Sequence, residues 1–157
     1  MRKTMEIRFL NAFLAGAAML ASAMSAQAAC TQVDMAGTWY IFGTYGHLGR
    51  ETMEETVRCK LRVGATGAII ATGSSCSFRE AVTPSTVGGY TMTIPSGILR
   101  VSSACAVTGS VTMSEAGQSY RQIVQSGQMA KDKNTLTMIV YELGNPLFTA
   151  KFDGAKQ

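Results

Sequence analysis

Thr56-Val57-Arg58-Cys59-Lys60-Leu61-Arg62-Val63 alternates strictly between two chemistries. Val57, Cys59, Leu61 and Val63 fall on one side of an extended chain; Thr56, Arg58, Lys60 and Arg62 fall on the other. Successive side chains of a strand point to opposite faces, so this is a strand with one dry face and one wet face. A helix, with its 3.6-residue period, would mix the two sets. Gly64-Ala65-Thr66-Gly67 follows, and its glycines accept the positive φ that a tight reversal needs. Residues 68–72 are predicted to return as a strand that runs on towards Phe78.

Runs rich in Thr, Val, Ile and Tyr alternate with Gly/Ser clusters on both sides of this segment, without a sustained helical period. Strands are predicted over 37–45, 90–94, 98–101, 105–113, 119–130 and 135–141. Pro95, which lacks an amide donor, ends the strand 90–94. A final strand places Phe148, Ala150 and Phe152 on one face. Lys131-Asp132-Lys133-Asn134 and Gly144-Asn145-Pro146 read as turns, and 80–89, with Pro84 and two glycines, as a loop over one end. Eight or nine strands on short connections define an all-β chain. Closing into a single antiparallel up-and-down β-barrel of about eight strands hides the strand edges; a β-sandwich is the alternative. No solenoid repeat and no dividing linker interrupt it.

The N-terminus carries a different signal. Arg2, Lys3 and Arg8 precede an apolar run over 9–24, and Ala26-Gln27-Ala28 offers a signal-peptidase site. The run is shorter than the ~20 residues of a spanning helix. Residues 1–29 are therefore expected to be a cleaved signal peptide, the chain's only link to a membrane. Residues 30–157 are then one domain in the periplasm or outside the cell. Cys30 follows Ala28-Ala29, but Gln27 stands where a lipobox usually has Leu, which argues against lipidation. Without the signal, 11 Lys+Arg face 9 Asp+Glu. A net charge of +2 gives no case for a nucleic-acid partner.

Cys30, Cys59, Cys76 and Cys105 all lie in the exported part, and an even count there favours two disulfides. Three pairings are possible and spacing does not select one. Cys59 with Cys76, flanking the candidate hairpin, is preferred, leaving Cys30 and Cys105 to tie down the N-terminus. A zinc or redox site would want C-x-x-C, which is absent.

Residues for catalysis are few. His47, the single histidine, is predicted to sit in a solvated loop just past the first strand, near Glu51, Glu54 and Glu55. It lacks the nucleophile and orienting acid of a catalytic set. Glu80, Glu115 and Glu142 fall at predicted strand ends, where solvated carboxylates are ordinary and form no evident acid–base pair. There is no G-x-S-x-G elbow and no phosphate-binding glycine loop. Neither a catalytic residue, a metal site nor a cofactor is predicted.

Gly37-Thr38-Trp39-Tyr40 opens the first strand and contains the only tryptophan. It resembles the G-x-W signature of lipocalin-like, or calycin-like, barrels. The resemblance implies structural roles for Gly37 and for Trp39, which would plug the closed end of an eight-stranded barrel. It also implies a basic side chain from a late strand across that ring, with Lys151 the positional candidate. The family's second signature, a Thr-Asp-Tyr-type turn, has no counterpart here. The cysteine and glycine spacing is similar to that of small secreted bacterial proteins. Biotin-binding barrels share the outline but surround their ligand with several tryptophans.

These readings favour a non-catalytic binding module for a small apolar ligand or an envelope protein. Tyr45, Tyr90 and His47 are the candidate ligand-binding residues, because tyrosine offers an apolar ring with a polar tip. The alternative is an envelope inhibitor of a protease or cell-wall hydrolase, acting through the loops 46–55 and 80–89.

Overall fold

A computed structural model describes residues 29–47, 55–80 and 89–157, with the side chains of His47 and Glu80 excepted. The predicted signal peptide therefore lies outside the described residues, except for Ala29. So do the central parts of the loops 46–55 and 80–89.

Eight strands follow one another around a closed, wholly antiparallel up-and-down barrel. They are β1 (Gly37–His47), β2 (Glu55–Val63), β3 (Ser75–Glu80), β4 (Gly89–Val101), β5 (Val107–Glu115), β6 (Gln118–Met129), β7 (Thr135–Glu142) and β8 (Asn145–Lys156). β1 pairs with β2 on one side and with β8 on the other, so no edge is left to template aggregation. The dry face of β2 is the inner one: Val57, Cys59, Leu61 and Val63 are all buried. They pack with Ile41, Leu99, Val111, Met138 and Phe152 into one core.

The disulfides are Cys59–Cys76, between directly paired residues of β2 and β3, and Cys30–Cys105, which fastens the N-terminal segment to the β4–β5 turn.

Several strand boundaries differ from those predicted, each for a physical reason. β4 runs straight through Pro95, because a register shift between Thr93 and Ser96 absorbs the residue that cannot donate to the ladder. Residues 68–72 return against β2 only as an isolated bridge, Ile69 opposite Val63 with Ile70 N–H donating to Arg62 O at 2.8 Å, and not as a strand. Pairing of β3 with β4 stops at Ser75 and Thr93, which leaves the lower half of β4 unmatched on that side. The 64–74 connection crosses to fill it: Ile69 N–H donates to Gly97 O at 3.0 Å and Leu99 N–H to Gly67 O at 2.9 Å. Gln32 completes the patch, its Nε2 donating to Leu99 O and its Oε1 accepting from Val101 N–H. β5 starts at Val107 rather than Cys105. β8 begins at Asn145, so the last turn is earlier than predicted, and it extends four residues past Phe152. His47 is not in a loop: it is the last residue of β1, paired with Phe148.

A 3-10 turn over Gln32–Met35, which the sequence reading missed, closes one end. Met35 is fully buried beneath the barrel, and Trp39 beside it is 1% exposed. The indole Nε1–H donates to Met35 O at 2.8 Å. Lys156 Nζ lies 5.5 Å from the centre of the Trp39 ring and donates to Asp34 O at 2.8 Å. Lys156, not Lys151, is thus the basic partner of Trp39. Inward positions on β8 are 148, 150, 152, 154 and 156, whereas Lys151 points outward opposite Ile139 and Thr44. Gly37 makes room for the lysine: its φ is +136°, and a Cβ there would meet Lys156 Cδ at 2.9 Å.

Candidate functional site at the open end

The opposite end of the barrel is built from the inward positions of strands that start or finish there. Alternation aims Tyr45 (β1), Glu55 (β2), Phe78 (β3), Tyr90 and Met92 (β4), and Met113 and Glu115 (β5) at one space. Tyr120 and Gln122 (β6), Glu142 (β7) and Phe148 (β8) complete the wall. They enclose a cavity of about 200 Å³. Below it, among Ile41, Leu61, Val111, Val124, Met138 and Phe152, only about 30 Å³ remains. The barrel is therefore filled along its length except at this mouth.

One side of the mouth is a continuous aromatic wall. The ring of Tyr45 stacks on Phe148 with centroids 4.9 Å apart and meets the edge of Phe152 at 5.6 Å. Phe78 lies 5.8 Å from Tyr45 and stacks on Tyr90 at 4.9 Å. These offset and edge contacts hold the rings rigidly and add to their burial energy.

Carboxylates stand among the rings. The Tyr90 hydroxyl donates to Glu55, 2.9 and 3.0 Å from its two oxygens. Glu115 and Glu142 have no ion-pair or hydrogen-bond partner for their side chains among the described residues. Tyr120 Oη donates to Gln118 Oε1 at 2.6 Å. Two polar ends deeper in the wall have no partner among the described residues: Tyr45 Oη, on a residue 1% exposed, and Gln122 Oε1, on a residue 5% exposed. Leaving a buried polar group unmatched costs about 1–3 kcal/mol, so two at one cavity are a feature to account for. Burial drives the Tyr45 phenol pKa far up, and the Glu142 and Glu55 carboxylates push it further. The hydroxyl is therefore neutral at any physiological pH.

Of the three predicted ligand-binding residues, Tyr45 and Tyr90 share this wall, while His47 ends the strand that carries Tyr45 and its side chain lies outside the described residues. Sequence reading missed Gln122, Tyr120, Phe78 and Phe148, and treated Glu55, Glu115 and Glu142 as solvated. The signal was parity: Glu142 continues the inward series Leu136, Met138, Val140, and Gln122 sits inward between Tyr120 and Val124. No group of three or more His, Cys, Asp or Glu among the described residues could hold a metal ion.

No protein-family model, no curated protein and no solved structure matches this chain.

Proposed function

We propose that this protein is an exported, lipocalin-like binding module that holds a small ligand in the open end of its barrel and performs no catalysis. The observation that carries the reading is the contrast between a filled barrel interior and an aromatic-lined cavity with unmatched polar ends at its open end. Small barrels either fill with side chains or keep room for one small ligand. A cavity of about 200 Å³ lies below the usual range for drug-sized ligands. A cavity of that size suits a compact molecule.

Two features support the lipocalin-like assignment: the up-and-down order of eight strands, and the Gly37/Trp39/Lys156 arrangement beneath them. Two disulfides suit an oxidising compartment outside the cytoplasm. The N-terminus of exported material should be Ala29 or Cys30; a chain still starting at Met1 would contradict export. The binding reading is tested by native mass spectrometry of the protein purified from its own envelope. A small-molecule adduct that denaturation releases is expected. A bare polypeptide mass, with no small molecule in the released fraction, would count against it.

A further inference from the structure

The chemistry of the mouth is one-sided, and this narrows the ligand class. The carboxylates of Glu115 and Glu142, the Gln122 Oε1 and the Tyr45 Oη can all accept a hydrogen bond, and no Lys, Arg or His is among the described residues that line the cavity. The aromatic wall adds the negative faces of π systems, which attract a cation more strongly once water is excluded.

Other ligand classes fit less well. An anion would meet the Glu115 and Glu142 carboxylates, of its own sign. A purely apolar ligand would fill the volume, yet leave both buried acceptors unmatched and move the carboxylates further from water. A quaternary ammonium would match the rings but bring no N–H to Tyr45 or Gln122. A protonated amine brings charge, N–H donors and an apolar stem together.

We propose that the open end binds a small organic cation, an ammonium on a short apolar stem whose three N–H groups donate to Tyr45, Gln122 and Glu142, with the Glu115 carboxylate facing the same charge, while its stem lies against the aromatic wall. This rests on the binding-module reading and replaces the small apolar ligand expected from sequence with a charged one.

The experiment uses the exported chain and three isosteric probes: 2-phenylethylammonium, 2-phenylethanol and phenylacetate. Binding is followed by calorimetry and by backbone amide shifts. A charge-assisted hydrogen bond adds enough that the ammonium should bind at least about tenfold more tightly than the alcohol. Phenylacetate should not bind. The ammonium's advantage should shrink in high salt, and Glu142→Gln should weaken the ammonium at least about fivefold while leaving the alcohol unchanged.

If alcohol and ammonium bind alike and Glu142→Gln changes neither, the cation assignment is overturned and the binding module stands. If no probe moves the amides of Tyr45, Tyr120 and Gln122 at millimolar concentration, both fall.

Discussion

The two ends of the barrel use the same raw materials to opposite effect. Each has aromatic, carboxylate and other polar groups near the core. At the closed end those atoms are matched within the chain: the indole N–H of Trp39 on Met35 O, the Lys156 ammonium on Asp34 O and over the indole ring. The Asp34 carboxylate, in turn, holds Lys133 and the Thr31 amide. At the open end the Tyr45 hydroxyl and the Gln122 carbonyl have no partner among the described residues, and the Glu115 and Glu142 carboxylates face the cavity without one there. Matched groups serve the fold; unmatched groups at a cavity lower its stability and are the usual mark of a binding site.

The contrast can be broken most severely from below. Replacing Trp39 with alanine removes the plug over Met35 and should destabilise the fold by about 3–5 kcal/mol in urea melts. An unchanged midpoint would mean that the closed end is not held by its tryptophan. Cys30→Ala/Cys105→Ala should cost about 2–5 kcal/mol, because it frees a 75-residue loop and unfastens the segment carrying the 3-10 turn. A loss as large at the open end as at the closed one, read by amide exchange, would show that the two ends are not independent.

The smallest effect is a pH dependence. The Lys133 ammonium, then the Thr31 amide, lower the pKa of Asp34 from 3.8 to about 2. The folded value lies below the unfolded one, so Asp34 contributes stability above about pH 4 that is lost as pH falls through 2. The gap in urea midpoint between wild type and Asp34→Asn should therefore close between pH 4 and pH 2. A gap constant down to pH 2 would show that the carboxylate is not held by these partners.

Much of this contrast was legible from residue order. The alternation of 56–63 fixes both the strand and its buried face, and Gly37-x-Trp39 marks the closed end. Three features were hidden, because each depends on where strands stop and pair. The run of β8 to Lys156 decides which lysine reaches Trp39. The shortness of β3 sends 64–74 across to β4. The bulge at Pro95 joins two predicted strands into one. The mouth was half legible: Tyr45 and Tyr90 stood out as residue types, but Gln122 and Glu142 gain meaning only when their parity is counted from apolar neighbours. A lone polar residue in an inward series within a polar-looking strand gives no compositional signal.

The account's central claim is that buried polar groups stabilise the closed end and burden the open one. Paired urea melts of Trp39→Phe and Tyr45→Phe without ligand test it directly. Each substitution removes one buried polar group and keeps an aromatic ring. Trp39→Phe deletes the bond to Met35 O and should lower stability by about 1–2 kcal/mol. Tyr45→Phe deletes a hydroxyl that has no partner and should raise it by about 1 kcal/mol. Midpoints that move in opposite directions are the predicted result. A Tyr45→Phe midpoint that falls alongside that of Trp39→Phe would contradict the claim, and would make the open end a second core rather than a site.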